Sequence, residues 1–196
     1  MYLNENLRKQ IKNVLDNDGV IAYVTDTVWG LGALPLSEKG VKKIYEIKKR
    51  EPQKPLILMS NDIEKLKPYI KVIKDKEDEL IKNFFPGALT LVMEKSDKIP
   101  DFITSGFNTV GIRIPDNAVF KEICEAVTGN VLATTSANLS HEPAAKTYEQ
   151  AVKNMYGKAD LIIEDFGQIA KGLESTVALV QNNEVKILRQ GAVSLT

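Results

Sequence analysis

The chain has 196 residues, of which 43% are hydrophobic and 27% are charged. This balance is typical of a folded globular protein, and the length predicts one domain that spans residues 1–196. The 26 basic residues equal the 26 acidic ones in number, and the zero net charge excludes a global field that attracts nucleic acid or a membrane surface.

Cysteine and histidine usage narrows the class of chemistry further. Cys124 is the only cysteine, so an intrachain disulfide is excluded, and its place in an apolar-periodic helix predicts a packed core thiol. His141 is the only histidine, so a site of several histidines is excluded, and Ser-His-Asp chemistry would have to use this residue as its base. Because no apolar run is long enough to span a membrane, we expect a cytoplasmic protein without membrane contact.

Hydrophobic periodicity and capping residues predict helices and strands that alternate along most of the chain. The predicted helices begin at Asn4, Ser37, Asn61, Asp75, Asn117 and Thr147. The predicted strands cover residues 20–24, 56–59, 88–94, 109–114, 131–135, 161–163, 176–180 and 185–188. The last two strands form a hairpin across Asn182 and Asn183, whereas the segment through Gly30 and Gly32 and the segment 101–108 are predicted loops. This order predicts an α/β fold, with a twisted sheet of mixed parallel and antiparallel strands and flanking helices.

Three polar clusters lie where a predicted strand meets a loop or a helix, at residues 25–32, 48–56 and 134–138. The middle cluster supplies fixed positive charge, and the outer two supply hydroxyl and amide groups. Together they suit a ligand that has a polyphosphate and a small polar part. Taken alone, the middle cluster is more typical of a solvated basic face at a helix C-terminus than of a binding site. The last cluster is equally typical of a capped turn and of a binding site.

Two arginines at strand positions add to this pattern. Arg113 stands between isoleucines on an apolar strand, so it needs a partner if it is buried, either a protein carboxylate or a ligand carboxylate. Arg189 ends the last strand, and Glu174 and Ser175 precede its partner strand. The chain has no Walker loop, no Gly-x-Gly-x-x-Gly and no metal-ligand spacing, so we predict no metal bound by the chain itself.

In their order along the chain, seven segments resemble the YrdC-like family of threonylcarbamoyl-AMP synthases. The matching residues are 25–32, Lys48 with Arg50, 86–91, 109–115, Ser136 with Asn138, 174–177 and 187–191. The resemblance implies a twisted mixed α/β sheet around a positively charged cavity. It also implies a reaction in which L-threonine takes up bicarbonate or CO2 and the resulting carboxylate attacks the α-phosphate of ATP, with Mg²⁺ assisting. The product, threonylcarbamoyl-AMP, would pass to a separate transferase that modifies tRNA next to the anticodon.

The same resemblance assigns roles to individual residues. Those expected to bind ATP are Lys48, Arg50, Pro52, Thr109, Ser136, Asn138, Ala144 and Arg189, with Lys48 and Arg50 also catalytic. Those expected to bind L-threonine are Thr25, Ile57, Arg113, Thr134 and Ser175. The chain departs from the family pattern at Trp29, where tyrosine or phenylalanine is usual, at Gln190, where proline is usual, and at Glu51, where proline often follows the arginine.

Two other functions stay open at the level of sequence. The basic residues between 42 and 54 would suit an RNA-binding module of the same fold. The zero net charge and the absence of a recognisable RNA motif make this function the weaker alternative. A paralogue that activates another carbamoyl or amino-acid substrate would carry the same motifs.

Overall fold

The computed structural model of the protein describes residues 1–140 and 142–195, and in these residues nine strands form one sheet. The strands are β1 (Ile21–Tyr23), β2 (Gly30–Ala33), β3 (Ile57–Ser60), β4 (Leu89–Glu94), β5 (Thr109–Arg113), β6 (Val131–Ser136), β7 (Leu161–Ile162), β8 (Thr176–Gln181) and β9 (Glu184–Arg189). Their order across the sheet is β7-β1-β2-β6-β3-β5-β4-β8-β9. The pairs β1–β7, β3–β5 and β4–β8 are parallel and the other neighbours antiparallel, which confirms the predicted mixed sheet.

The helices flank this sheet. They are α1 (Glu5–Asp16), α2 (Glu38–Lys48), α3 (Ile63–Leu66), α4 (Asp75–Phe84), α5 (Asp101–Thr104), α6 (Ala118–Ala126) and α7 (Tyr148–Met155). The predicted cap residues Asn4 and Ser37 accept hydrogen bonds from the backbone N–H groups of Leu7 and Gly40, so each satisfies a donor that the first turn leaves free.

Two further predictions are confirmed, one about the core and one about a turn. Cys124 is fully buried, and burial raises the pKa of its thiol, as expected of a packed core residue. The hairpin between β8 and β9 turns on Asn182 and Asn183, whose φ angles of 52° and 64° are those that a two-residue turn demands of both central residues.

Two predicted loops are each wrong over part of their length. Residues 30–33 form β2, and the glycines that suggested a loop instead make room for a ring, because a Cβ at Gly32 would lie 2.9 Å from Cε1 of Tyr23. Residues 101–104 form the short helix α5. In both places tertiary packing decides the local structure.

Alternation along the central strands gives the sheet two different faces. Val110, Ile112 and Leu58 are buried in the hydrophobic core, whereas Thr109, Gly111 and Arg113 line a cavity. Since successive side chains of a strand point to opposite faces, the cavity lies on the face of the sheet opposite to these core residues. Within the described part of the chain, no helix is long and apolar enough to cross a bilayer.

Candidate active site

A cavity of about 480 Å³ lies over the centre of the sheet. Its walls come from the loop after β1, the start of β2, the turn after α2, strands β3 to β6, the start of β8 with the segment before it, and the end of β9. Nine of the predicted site residues line it, namely Thr25, Arg50, Ile57, Thr109, Arg113, Thr134, Ser136, Ser175 and Arg189. Segments far apart in the sequence therefore meet in one place. The other four predicted residues, Lys48, Pro52, Asn138 and Ala144, are not among its lining residues.

Arg113 is buried, and its partner is the protein carboxylate of Asp26, the first of the two alternatives that the sequence left open. Its Nη2 donates to Oδ1 of Asp26, its Nη1 to Oγ1 of Thr27 at 2.8 Å and its Nε to the carbonyl of Gly87 at 2.9 Å. Burial lowers the pKa of Arg113, while the negative charge of Asp26 opposes this shift. The guanidinium is thus fixed in one orientation at the cavity wall.

Two other arginines bring positive charge to the cavity. Arg50 donates through Nε to the carbonyl of Lys54 and through Nη2 to that of Pro55, both at 2.9 Å. Burial lowers the pKa of Arg50. Arg189 donates through Nη1 to Glu174 at 2.6 Å and through Nη2 to the carbonyl of Ser175 at 2.9 Å. Both guanidinium groups donate to backbone carbonyls, so the two side chains have little rotamer freedom left to lose when a ligand binds.

The hydroxyl groups of the site are already engaged with the protein. Thr25 donates to the carbonyl of Val28 at 2.6 Å, and Thr134 donates to the carbonyl of Leu31 at 2.8 Å while accepting from Tyr23 at 2.5 Å. Burial raises the pKa of Tyr23, which keeps this phenol protonated. Ser175 and Thr90 share a hydrogen bond of 2.8 Å. These contacts fix the orientation of the hydroxyls that the predicted threonine site would use.

Lys48 faces into the protein. Its side chain is 1% exposed, and its Nζ donates to the carbonyls of Ser136 and Asn138, both at 2.6 Å, and to Oδ1 of Asn138 at 3.1 Å. Burial, and then repulsion from Arg50, lowers the pKa of Lys48 to about 7. Lys48 therefore connects the end of α2 to the loop that follows β6 through hydrogen bonds. Its role in ATP binding and catalysis stays a prediction.

The remaining two predicted residues, Pro52 and Ala144, are not among the lining residues of the cavity. Pro52 is exposed in the turn after Arg50, and Ala144 is half-buried in the loop before α7. The neighbouring Ala145 accepts a backbone hydrogen bond from Trp29, which attaches this loop to the cavity wall. His141, the alternative base considered from the sequence, lies outside the described residues.

Sequence reasoning missed several residues of the cavity. Thr27, which lines the cavity, and Asp26, the ion-pair partner of Arg113, both stand inside the first polar cluster, but the sequence assigned no partner to either. Thr90 and Gly111 stand inside the matching segments 86–91 and 109–115 but were given no role, and the period-two alternation of β4 and β5 places them on the cavity face. Glu174 was noted beside Ser175 without a role, and it lines the cavity.

The model of the Sua5_yciO_yrdC family, described as Telomere recombination, matches residues 13–191. The chain belongs to the Sua5/YciO/YrdC family. Among its relatives in that family, the threonylcarbamoyl-AMP synthase of Pyrococcus abyssi is 37% identical over 176 residues, which are 90% of this chain and 51% of that protein. The putative threonylcarbamoyl-AMP synthase of Methanocaldococcus jannaschii is 32% identical over 98% of this chain and 91% of that protein.

The fold agrees with that of solved family members. The crystal structure of P. abyssi Sua5 complexed with L-threonine matches with a TM-score of 0.90 and 34% identity, over 97% of this chain and 56% of that one. The chain thus spans about half the length of the P. abyssi protein and nearly all of the M. jannaschii protein.

Proposed function

We propose that the chain forms threonylcarbamoyl-AMP and pyrophosphate from L-threonine, ATP and bicarbonate or CO2. The observation that carries this proposal is that the family motifs, far apart in the sequence, meet in one cavity that Arg50, Arg113 and Arg189 line. Guanidinium groups bind carboxylate and phosphate oxygens, and the proposed substrates carry both. The names of the two relatives and the threonine complex of the P. abyssi protein support the same reaction.

L-threonine would bind beside Arg113. A guanidinium carries five N–H groups, and the bonds to Asp26, Thr27 and Gly87 use three of them. The remaining N–H groups would take the threonine carboxylate. The hydroxyls of Thr25, Thr134 and Ser175 and the apolar side chain of Ile57 complete the proposed threonine site.

ATP would bind across the residues that end α2, β6 and β9. In the proposed reaction a carboxylate oxygen of N-carboxythreonine attacks the α-phosphorus, a new P–O bond forms, and the P–O bond to pyrophosphate breaks. Arg50 and Arg189 would neutralise the charge on the phosphates, and Thr109 and Ser136 would position them. The proposal keeps Lys48 and Asn138 in this part of the site, with Pro52 and Ala144 contacting the nucleotide through their backbone.

Mg²⁺ would enter with ATP, held by the phosphate oxygens as Mg²⁺ commonly is in such sites. Within the described residues, no group of three or more His, Cys, Asp and Glu side chains could hold a metal ion. The product would leave for a separate transferase acting on tRNA, and the reducing cytoplasm is the compartment that suits the lone thiol of Cys124.

The test is pyrophosphate release from MgATP and bicarbonate with and without L-threonine, with mass spectrometry for threonylcarbamoyl-AMP. We expect threonine-dependent release together with that product, and loss of both in Arg50→Ala. Threonine-independent release, or a carbamoyl adenylate of another amino acid, would instead identify a paralogue with a different substrate. Salt-sensitive RNA binding without turnover would favour the RNA-binding alternative.

A further inference from the structure

Glu174 is the single carboxylate that lines the cavity in the described part of the chain. Three arginines line the same cavity, so a zwitterionic amino acid finds several partners for its carboxylate but one anion for its ammonium group. The side chain of Glu174 is 41% exposed, which leaves it open to a ligand. Its Oε2 accepts from Arg189 at 2.6 Å, and no other hydrogen bond within the described residues engages the carboxylate.

The backbone places Glu174 next to the proposed threonine site. Lys171 and Gly172 donate their N–H groups to the carbonyls of Asp26 and Thr27 at 3.3 and 2.7 Å, so the segment that leads to Glu174 runs along the loop that holds Arg113. Ser175, the next residue, belongs to the predicted threonine contacts. Both Arg113 and the segment that leads to Glu174 contact the loop at Asp26 and Thr27. Glu174 and Arg113 therefore line the same cavity close to one loop.

Charge–charge interactions connect the same groups. Repulsion from Arg189, the ion-pair partner of Glu174, contributes to lowering the pKa of Arg113 after the larger effect of burial. The negative charge of Glu174 in turn opposes the lowered pKa of Lys48 and of Arg50. Glu174 therefore lies within electrostatic reach of Lys48 and Arg50 on the nucleotide side, and its ion-pair partner Arg189 lies within reach of Arg113 on the amino-acid side.

We infer that Glu174 is a catalytic residue that binds the α-ammonium of L-threonine and takes up the proton released when this nitrogen is carboxylated. The inference rests on the proposed function. With bicarbonate as carbon donor, the nitrogen of threonine loses two protons and forms a bond to carbon. The C–OH bond of bicarbonate breaks, the departing hydroxide takes one proton to become water, and the carboxylate of Glu174 takes the other. The products are N-carboxythreonine, water and protonated Glu174, and charge is conserved.

Glu174→Gln could weaken binding because the ammonium loses its partner or because Arg189 loses its partner. Comparing two ligands, with and without an ammonium group, distinguishes these two causes. Isothermal titration calorimetry would compare L-threonine with the hydroxy acid that has a hydroxyl in place of its α-ammonium. We expect Glu174→Gln to weaken L-threonine about tenfold, the scale of one close ion pair, and to leave binding of the hydroxy acid within about twofold. Equal losses for both ligands, or no loss for either, would overturn the inference.

Two variants control this comparison. Glu184→Gln makes the same chemical change at an exposed position outside the cavity, on the hairpin that follows Glu174, and it should bind both ligands as the wild type does. Glu174→Asp keeps the charge and should retain the preference for the ammonium ligand. Thermal unfolding of Glu174→Gln should match that of the wild type, since its side chain is partly exposed.

The rate measurement tests proton uptake. We expect Glu174→Gln to lower threonine-dependent turnover at neutral pH about 100-fold, within the range of a lost general base, and to recover activity as the pH rises and solvent takes the proton. A pH-independent loss, or wild-type turnover, would overturn the base role while leaving the proposed function intact. If the wild type itself made no threonylcarbamoyl-AMP, the proposed function would fail, and the ligand comparison would then bear on ammonium binding alone.

Discussion

Lys48 brings a positive charge into the interior and surrounds it with oxygen atoms. Three hydrogen bonds of 2.6 to 3.1 Å satisfy its ammonium donors, yet removal from water still disfavours the charged form and lowers its pKa to about 7. Its ordinary value of 10.5 applies to the unfolded chain. Folding therefore carries an electrostatic penalty at this residue, which is complete below the folded pKa and is relieved as the pH rises toward the unfolded value.

We expect the free energy of unfolding of the wild type to rise relative to that of Lys48→Met between pH 7 and about pH 10. In this window the unfolded state binds more protons than the folded state, so linkage gives a positive slope. The relative gain should be roughly 2–4 kcal/mol, measured by urea denaturation at both pH values. Lys42→Met, which changes an exposed lysine of the same helix, should follow the wild type. Parallel curves for the wild type and Lys48→Met would show that Lys48 titrates at its ordinary pKa.

The buried pair of Asp26 and Arg113 predicts strong coupling between two substitutions. Asp26→Asn or Arg113→Met alone should cost about 3 kcal/mol of stability, because each leaves a buried group without its charged partner. The double variant should cost clearly less than the sum, since no uncompensated charge remains. Urea denaturation of the four proteins measures the cycle. Additive losses would mean that the pair contributes no interaction energy of its own.

The sequence was sufficient to expect that Arg113 needs a partner, because an arginine between two isoleucines of a strand cannot be buried alone. It was not sufficient to name that partner. Asp26 stands 87 positions away, and only the order of the strands brings β5 next to the loop after β1. For Lys48 the motif identified the residue, but the inward direction of its side chain depends on the path of the loop at Ser136–Asn138.

At the scale of elements, Thr176 at the start of β8 fixes the segment that follows β9. It is fully buried, accepts from the N–H groups of Gly191 and Val193 at 3.0 and 3.2 Å, and donates to the carbonyl of Val193 at 2.6 Å. The carbonyl of Glu174 accepts from Ala192 nearby. This one hydroxyl thus connects the C-terminal segment to the strand that borders the cavity.

Thr176→Val keeps the shape of the side chain and removes its hydrogen bonds. We expect a loss of about 1–3 kcal/mol, because buried backbone groups are left unsatisfied, and faster proteolysis after β9. Thr176→Ser, which keeps the hydroxyl, should lose less than half as much. Thermal unfolding and limited trypsin digestion would measure both effects, and equal losses in the two variants would assign the effect to packing instead.

Elements with a local signal could be predicted, and those defined by distant contacts could not. The hairpin of β8 and β9 follows from Asn182 and Asn183, because few residues adopt positive φ so readily. β2 was missed since Gly30 and Gly32 are unfavourable strand residues, and only the Tyr23 ring beneath them explains their presence. The cavity face of β5 could be expected from alternation once the strand itself was assigned.

At the scale of the whole molecule, zero net charge conceals a local excess of positive charge. Arg50, Arg113 and Arg189 line the cavity and Glu174 alone opposes them among its described lining residues. An anionic nucleotide should therefore be attracted by the site although the molecule has no global field.

We expect MgATP to raise the melting temperature, with a stabilisation of about 2.7 kcal/mol at 100 times its Kd. This shift should shrink as salt rises from about 0.05 to 0.5 M, because the screening length falls over that range. L-threonine, a zwitterion without net charge, should show a weaker salt dependence. Differential scanning calorimetry would measure both shifts, and a salt-independent shift with MgATP would contradict a binding site dominated by the arginines.

Trp29 is an intrinsic fluorescent probe of the cavity. It is the only tryptophan of the chain, it is fully buried in the cavity wall 5.9 Å from the Tyr148 ring, and its indole N–H has no hydrogen-bond partner in the described structure. Emission from a buried indole lies toward short wavelengths and responds to a polar group or charge placed nearby. Binding of each substrate can therefore be followed by intrinsic tryptophan fluorescence without a label. Trp29→Phe, which lacks tryptophan, is the control for signals that do not come from this residue.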